Sequence, residues 1–263
     1  MPVIESSGCP LHVEVEGPEQ APALMLCNSL GTTLHMWDPQ VAAFAKDFRL
    51  VRYDRRGHGR SGTTPGPYTM EQLGRDALAI MDGLGVKRVN WCGLSMGGMV
   101  GQWLGANAPE RIERMVISNT HYYYPVKDPW NDRIKTIREK GLTAIADANM
   151  ERWFTAAFRA RAPKVIAWMR EMFVSSSTIE GYVANCAAVR DMDHREVLPR
   201  IRVPTLVIAG RYDPAIPLEA AEFMRSRIPD AALTIIDGAH ISNVEQPKIY
   251  AAEVLGFFAP SRK

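Results

Sequence analysis

The sequence has few cysteines, no long apolar run and no block of like charges. Its cysteines are widely scattered, a pattern that indicates buried reduced thiols rather than a disulfide framework or a zinc site; they are Cys9, Cys27, Cys92 and Cys186. No run of 18 apolar residues occurs, so no membrane-spanning helix is predicted. The 31 basic and 29 acidic residues nearly balance. Because no basic run accompanies them, neither nucleic acid nor an anionic membrane is an expected partner.

The composition that is present is that of an ordinary globular protein. Of the 263 residues, 46% are hydrophobic and 23% are charged. This length predicts one large domain, or one domain that carries an insertion. The first twenty residues include four glutamates and no apolar core, so they do not resemble a signal peptide, and a cytoplasmic location is expected.

Short strands alternate with helices along most of the chain. Residues 11–16 alternate between apolar and polar, which is typical of a half-buried antiparallel strand. Later runs are almost continuously apolar, as in strands that helices cover on both faces; they are residues 23–27, 89–92, 115–118, 205–209 and 233–236. One intervening helix is predicted to begin after Thr69, with Gln72 completing a capping box, and to stop at Gly85. The alternation predicts an α/β fold with a mostly parallel, doubly wound sheet.

One long segment interrupts this alternation. Residues 121–199 contain no convincing buried strand and are rich in bulky apolar side chains at helical spacing. Helices are predicted there at residues 130–140, 142–160, 163–174 and about 180–189. We therefore expect an α/β core formed by residues 1–120 and 200–263, into which residues 121–199 are inserted as a helical cap.

The most informative peptide is the Gly-x-Ser-x-Gly motif around Ser95. Gly93, Ser95 and Gly97 lie between a predicted strand and a predicted helix, which is the context that a nucleophilic serine of this type requires. A sharp strand-to-helix turn projects the hydroxyl above the sheet edge, near the positive end of the helix. The alternative is a tight turn with an incidental serine.

A histidine and an acid follow Ser95 in the chain order that such a site needs. Asp213 follows the strand at 205–209, and His240 follows the strand at 233–236. Carboxyl ends of parallel strands share one sheet edge, so both side chains are expected near Ser95 as a catalytic triad. Asp237 competes as the acid, but it lies on the same loop as His240, and a carboxylate on another strand end is better placed to orient the imidazole.

The motif also predicts an oxyanion hole. Its donors are expected to be the backbone N–H groups of Met96 and Leu30, the latter on the loop after the strand at 23–27. Gly31 allows that loop to fold inward, although a plain glycine turn is the alternative.

A second glycine-rich peptide does not indicate a cofactor. Residues 57–62 satisfy the G-x-G-x-x-G pattern, but Pro65 and Pro67 separate them from the next helix, which a dinucleotide site must open directly. No P-loop and no pair of histidines with metal-ligand spacing occurs, so we predict no cofactor and no metal.

Taken together, several peptides resemble the α/β-hydrolase superfamily. They are residues 54–61, residues 93–98, the Asp213 loop and residues 237–240. A narrower resemblance, to 3-oxoadipate enol-lactonases of aromatic catabolism, involves residues 28–38, 93–102 and 130–134. Cofactor-free haloperoxidase-like esterases share the Ser-Met-Gly-Gly element. The resemblance implies an α/β-hydrolase fold and an enol-lactonase that acts on a small lactone bearing a carboxylate.

Such a substrate needs a cation in the cap. Arg133 is expected to bind the carboxylate, with Trp130 as a wall of the pocket; the alternative is a solvated helix arginine beside a packing tryptophan. Three other functions remain open from the sequence. They are a general carboxylesterase or perhydrolase, a carbon–carbon bond hydrolase of ring-cleavage products, and a non-catalytic binding protein on the same fold. The oligomeric state is not predicted.

Overall fold

The computed structural model describes residues 3–259, and within them a single eight-stranded sheet runs through the molecule. Its strands are buried or half-buried for most of their length. In chain order they are β1 (Val3–Ser6), β2 (Cys9–Glu16), β3 (Ala23–Cys27), β4 (Arg49–Tyr53), β5 (Val89–Leu94), β6 (Ile112–Ser118), β7 (Thr205–Gly210) and β8 (Ala232–Ile236). The predicted strands are present, and β1 is one that the sequence pattern did not reveal. The apolar run at residues 233–236 predicted a strand covered on both faces, and this was wrong: β8 lies at the edge of the sheet, and of its five residues only Ile236 is fully buried.

Helices pack on both faces of this sheet and form most of the connections between its strands. The α-helices are α1 (Asp38–Phe44), α2 (Met70–Gly83), α3 (Met96–Asn107), α4 (Asp128–Lys140), α5 (Ala146–Trp153), α6 (Ala156–Arg161), α7 (Pro163–Ser175), α8 (Ile179–Asp191), α9 (Leu218–Arg227), α10 (Ser242–Glu245) and α11 (Pro247–Phe258). Short 3₁₀ helices occupy Leu34–Trp37, Pro109–Arg111, Leu142–Ile145 and Leu198–Arg200. Within the described residues, no helix has both the length and the apolar character that a bilayer crossing requires.

The strand order is β1-β2-β4-β3-β5-β6-β7-β8. The pairs β1–β2 and β2–β4 are antiparallel, whereas every later pair is parallel. The prediction of a mostly parallel, doubly wound sheet is confirmed. Since β5, β7 and β8 run in the same direction, the loops after their carboxyl ends open at one edge of the sheet.

The segment between β6 and β7 carries helices α4 to α8. The sequence predicted one helix over residues 142–160, and this was wrong: the segment is a 3₁₀ turn followed by α5 and α6. Phe154 is extended, and Thr155 caps α6 by accepting a hydrogen bond from the Phe158 N–H, so the chain cannot continue as one helix. The boundaries of the cap at residues 121 and 199 stay a prediction. Residues 1, 2 and 260–263, assigned to the core, lie outside the described residues.

Candidate active site

Ser95 lies at the sharp turn between β5 and α3. Its backbone has φ 56° and ψ −114°, a conformation that is strained for any residue with a side chain. The flanking glycines allow the turn to form. A Cβ atom on Gly93 would lie 2.1 Å from the Gly97 carbonyl oxygen, and one on Gly97 would lie 2.0 Å from the carbonyl oxygen of Cys27. This turn places Ser95 in the wall of a cavity at the carboxyl edge of the sheet.

The structure brings Ser95, His240 and Asp213 into one line of hydrogen bonds. The His240 Nε2 atom lies 2.9 Å from Ser95 Oγ, and the His240 Nδ1 atom lies 2.8 Å from Asp213 Oδ2. All three side chains are buried. With the imidazole proton on Nδ1 donated to Asp213, Nε2 is left as the acceptor for the Ser95 hydroxyl. This is the geometry in which histidine can take the proton of an attacking serine.

The competing acid, Asp237, lies elsewhere. Its carboxylate accepts from Arg211 Nε at 2.6 Å, and 66% of its side chain is exposed. Asp213 instead accepts backbone N–H bonds from Ala215 at 2.8 Å and Ile216 at 3.0 Å. These bonds fix the carboxylate against the imidazole, so only Asp213 of the two candidates is placed to orient His240.

Sequence reasoning missed Asn119, which braces this arrangement. It follows β6 directly, and its Nδ2 donates to Asp213 Oδ2 and to the Ala239 carbonyl oxygen, each at 3.1 Å. Ser242 Oγ donates to the Asn119 Oδ1 atom at 2.6 Å. The position of Asn119 at a strand end of the same sheet edge was the available signal.

Glu245 is a second residue that the sequence did not point to. Its buried carboxylate accepts from the backbone N–H of Ala239 at 2.9 Å and from the hydroxyl of Thr155. The backbone N–H of Ile241 also donates to the Trp153 carbonyl oxygen at 3.1 Å. The loop that carries His240 is therefore tied to the segment that joins α5 and α6.

Leu30 and Met96, the two predicted oxyanion donors, lie next to the site in the fold and in the chain respectively. Leu30 lines the cavity with Ser95, and Met96 is the first residue of α3. Neither N–H donates a hydrogen bond to any group within residues 3–259. Backbone N–H groups without an internal partner are available to stabilise an oxyanion, and the assignment of these two as its donors stays a prediction.

The segment after β4, which includes the glycine-rich peptide at residues 57–62, forms hydrogen bonds to the loop that carries Leu30. Arg55 donates to the carbonyl oxygens of Asn28 and, at 2.9 Å, Ser29. The Gly31 N–H donates to His58 Nε2 at 2.9 Å. Burial lowers the pKa of His58 well below its usual 6.5, so the ring stays neutral and keeps a lone pair for this bond. The helix that follows begins only at Met70, so the peptide does not open a helix as a dinucleotide site would.

The cavity above Ser95 has a volume of about 510 Å³ and a wall formed by α4 and α5. Trp130 and Arg133 line it, and the Arg133 guanidinium lies 5.8 Å from the Trp130 ring centre. Both predicted pocket residues thus share a cavity with Ser95 and His240. Asn149 and Arg152 also line this wall, and the sequence did not single them out.

The fold and this arrangement define a class of protein. A family model for the alpha/beta hydrolase fold matches residues 22–140 and 137–247, so the chain belongs to the α/β-hydrolase family. It is 40% identical over 240 residues to 3-oxoadipate enol-lactonase 2 of Acinetobacter baylyi, covering 91% of this chain and 90% of that one. It is 36% identical over 255 residues to 3-oxoadipate enol-lactonase 1 of the same organism, covering 97% and 95%.

A solved structure agrees closely with this one. The enol-lactonase from Burkholderia xenovorans LB400 superimposes with a TM-score of 0.95 and is 43% identical, with 97% of this chain and 99% of that chain covered. The resemblance to the α/β-hydrolase superfamily and to its enol-lactonases that the sequence motifs indicated is therefore confirmed.

Proposed function

We propose that this protein is a serine hydrolase that opens the lactone ring of 3-oxoadipate enol-lactone to give 3-oxoadipate. Its similarity to two 3-oxoadipate enol-lactonases and one enol-lactonase structure supports the substrate. The observation that carries the chemistry is the 2.9 Å contact between His240 Nε2 and Ser95 Oγ at the floor of a cavity that Arg133 also lines.

In the proposed acylation step, Ser95 is the nucleophile. His240 removes the Ser95 proton through Nε2 as Oγ attacks the lactone carbonyl, and Asp213 stabilises the imidazolium that forms. The Leu30 and Met96 N–H groups hold the oxyanion of the tetrahedral intermediate. When that intermediate collapses, the ring C–O bond breaks and His240 returns the proton to the enol leaving group. The enol tautomerises to a ketone, which makes this step effectively irreversible.

Deacylation reuses the same groups. Water loses a proton to His240 Nε2 as its oxygen attacks the acyl-enzyme, and the proton returns to Ser95 Oγ when the ester bond to the enzyme breaks. The product is a dicarboxylate, since the ring opening creates a second carboxylate. All of these proton transfers use His240 Nε2. Asp213 holds the imidazole ring in place, and Asn119 in turn holds the Asp213 carboxylate.

Residues 121–199 are proposed to form the cap over this site, with Trp130 and Arg133 as substrate-binding residues. The carboxylate of the lactone would pair with the Arg133 guanidinium, which offers directed donors in a partly enclosed cavity. The substrate is a small molecule, and a cytoplasmic location stays a prediction.

A paired steady-state assay tests the proposed substrate. We expect kcat/KM for 3-oxoadipate enol-lactone to exceed that for a neutral short-chain aryl ester by several orders of magnitude, of which the contact with Arg133 accounts for about 10- to 100-fold. A chain that cleaves the ester better than the lactone would instead be a general carboxylesterase. A chain inactive on both, and resistant to covalent labelling by an organophosphonate, would be a binding protein.

Replacing Arg133 by alanine should raise KM for the carboxylated lactone about 10- to 100-fold, the value of a lost hydrogen bond between charged groups. KM for the neutral ester should change little. Arg138→Ala serves as the control, because Arg138 is an exposed arginine of the same helix that does not line the cavity. Equal effects of Arg133→Ala on the two substrates would contradict the carboxylate role.

A further inference from the structure

Arg133 differs in its surroundings from Arg52 and Arg56, two other enclosed arginines. Arg55, which also has no ion pair within residues 3–259, donates to backbone carbonyl oxygens and does not line the cavity. Arg56 is neutralised by Asp76, and Arg52 pairs with Glu14 at 2.9 Å. Arg133 forms no ion pair with any acidic group in the described part of the chain. A partly buried charge without a counterion is costly, so its persistence beside a cavity indicates that the partner is a ligand.

Neutral groups hold the Arg133 side chain instead. Its Nε and Nη2 donate to the Tyr182 hydroxyl at 2.9 and 2.5 Å, and its Nη2 donates to Asn149 Oδ1 at 2.9 Å. Burial raises the pKa of the Tyr182 phenol above its usual value and that of the neighbouring Cys186 thiol to about 12, so both are neutral at pH 7. These contacts therefore orient the guanidinium, and no partner among them neutralises its positive charge.

The Asn149 amide has one defined orientation. Arginine only donates, so the amide oxygen must face Arg133. The Nδ2 group is then left without a partner, in a side chain that is 1% exposed. A buried N–H without an acceptor destabilises the fold, and an aspartate here would remove that N–H and add an ion pair. An amide is thus the less stable choice, but it is the one that preserves the positive charge of Arg133.

The rest of the cavity wall adds little negative charge. Arg152 is a second cation on it and forms no hydrogen bond or ion pair within residues 3–259. Asp132 is the acid on this wall, and it is exposed and paired with neither arginine. The cap side of the cavity is therefore suited to an anionic ligand.

We propose that Asn149 and Tyr182 are positioning residues that hold Arg133 while leaving its charge available, and that the neutral side chain at position 149 sets the preference for anionic over neutral esters. The inference rests on the proposed function for the identity of the natural substrate. The anion preference itself depends only on the contacts of Arg133.

The test changes charge without changing shape. We expect Asn149→Asp to raise KM for the enol-lactone at least about tenfold, because the new carboxylate competes with that of the substrate for Arg133. Adipate, a dicarboxylate, serves as a probe when it competitively inhibits hydrolysis of the neutral ester. Asn149→Asp should raise its Ki by a similar factor. KM for the ester should rise by a factor at least three times smaller than the factor for the adipate Ki, since a neutral substrate does not compete with the new carboxylate for Arg133.

Two further variants separate charge from structure. Asn149→Ala removes the amide but adds no charge. It should raise the adipate Ki less than about threefold, because Arg133 loses one orienting hydrogen bond but keeps those to Tyr182. Asn131→Asp places the same change beside Arg190 on the exposed face of α4 and should leave every constant unaltered. If Asn149 had only a structural role, Asn149→Ala would raise the adipate Ki as much as Asn149→Asp does. Both variants would then also raise KM for the ester by a similar factor.

The outcomes distinguish the two proposals. If the wild-type protein does not open the lactone but Asn149→Asp still raises the adipate Ki, the proposed substrate is wrong and the inference about Asn149 is supported. An unchanged adipate Ki in Asn149→Asp would overturn the inference, whatever the wild-type protein does with the lactone.

Discussion

Replacing Ser95 by alanine is expected to lower kcat for both the lactone and the ester by about 10⁴- to 10⁶-fold, the range found when a serine nucleophile is removed from a triad. The effect is large because, within residues 3–259, Ser95 supplies the hydroxyl that lies within hydrogen-bond distance of His240 Nε2, at 2.9 Å, so its removal leaves only water as the nucleophile. Single-turnover and steady-state assays at saturating substrate measure it. A residual rate within tenfold of wild type would show that another group is the nucleophile.

The backbone at Ser95 provides a control for folding. Because its φ is 56°, an alanine there keeps the strained turn, whereas glycine adopts that angle without a Cβ penalty. Ser95→Gly should therefore be as inactive as Ser95→Ala but more stable, by about 1 kcal/mol in the free energy of unfolding. Loss of activity together with a gain in stability would separate the chemical role of the hydroxyl from any structural one.

Replacing Asp76 by alanine is expected to lower the free energy of unfolding by about 3–5 kcal/mol, the cost of leaving a buried charge without its partner. The Asp76 carboxylate accepts from Arg56 Nε and Nη2, both at 2.5 Å, and from Ser6 Oγ at 2.6 Å. Both charged side chains are 2% exposed or less. This cluster joins α2, β1 and the loop after β4. The variant loses all three bonds together.

Urea unfolding and thermal melting measure this change. For a chain of this length the loss corresponds to a fall in Tm of roughly 6–20 °C. Asp147→Ala is the matched control, because it breaks an ion pair with Arg170 on the surface, where 80% of the Asp147 side chain is exposed. Salt and water already screen that pair, so its loss should leave Tm unchanged. A similar shift in both variants would mean that burial does not govern the strength of these pairs.

Local pattern predicted most of the architecture of this protein. The apolar runs of β3, β5, β6 and β7 mark strands that are buried for most of their length. The run in β8 has the same pattern, but β8 lies at the edge of the sheet and is partly exposed. Thr69 accepts a hydrogen bond from the Gln72 N–H at the start of α2, as a cap is expected to do. The broken helix at residues 142–160 was missed because Phe154 is extended where Thr155 contacts Glu245, a residue 90 positions away.

The sequence by itself also determined which side chains reach the site, because Ser95, Asp213 and His240 each follow a parallel strand and all carboxyl ends meet at one edge. Only the tertiary structure decided that Asn119 braces Asp213 and that neutral groups hold the Arg133 side chain. These contacts join residues on different elements, as between Arg133 and Tyr182 or between Asn119 and Asp213. Local periodicity records which face of an element is buried but not which distant side chain it meets, so such contacts depend on how the elements pack.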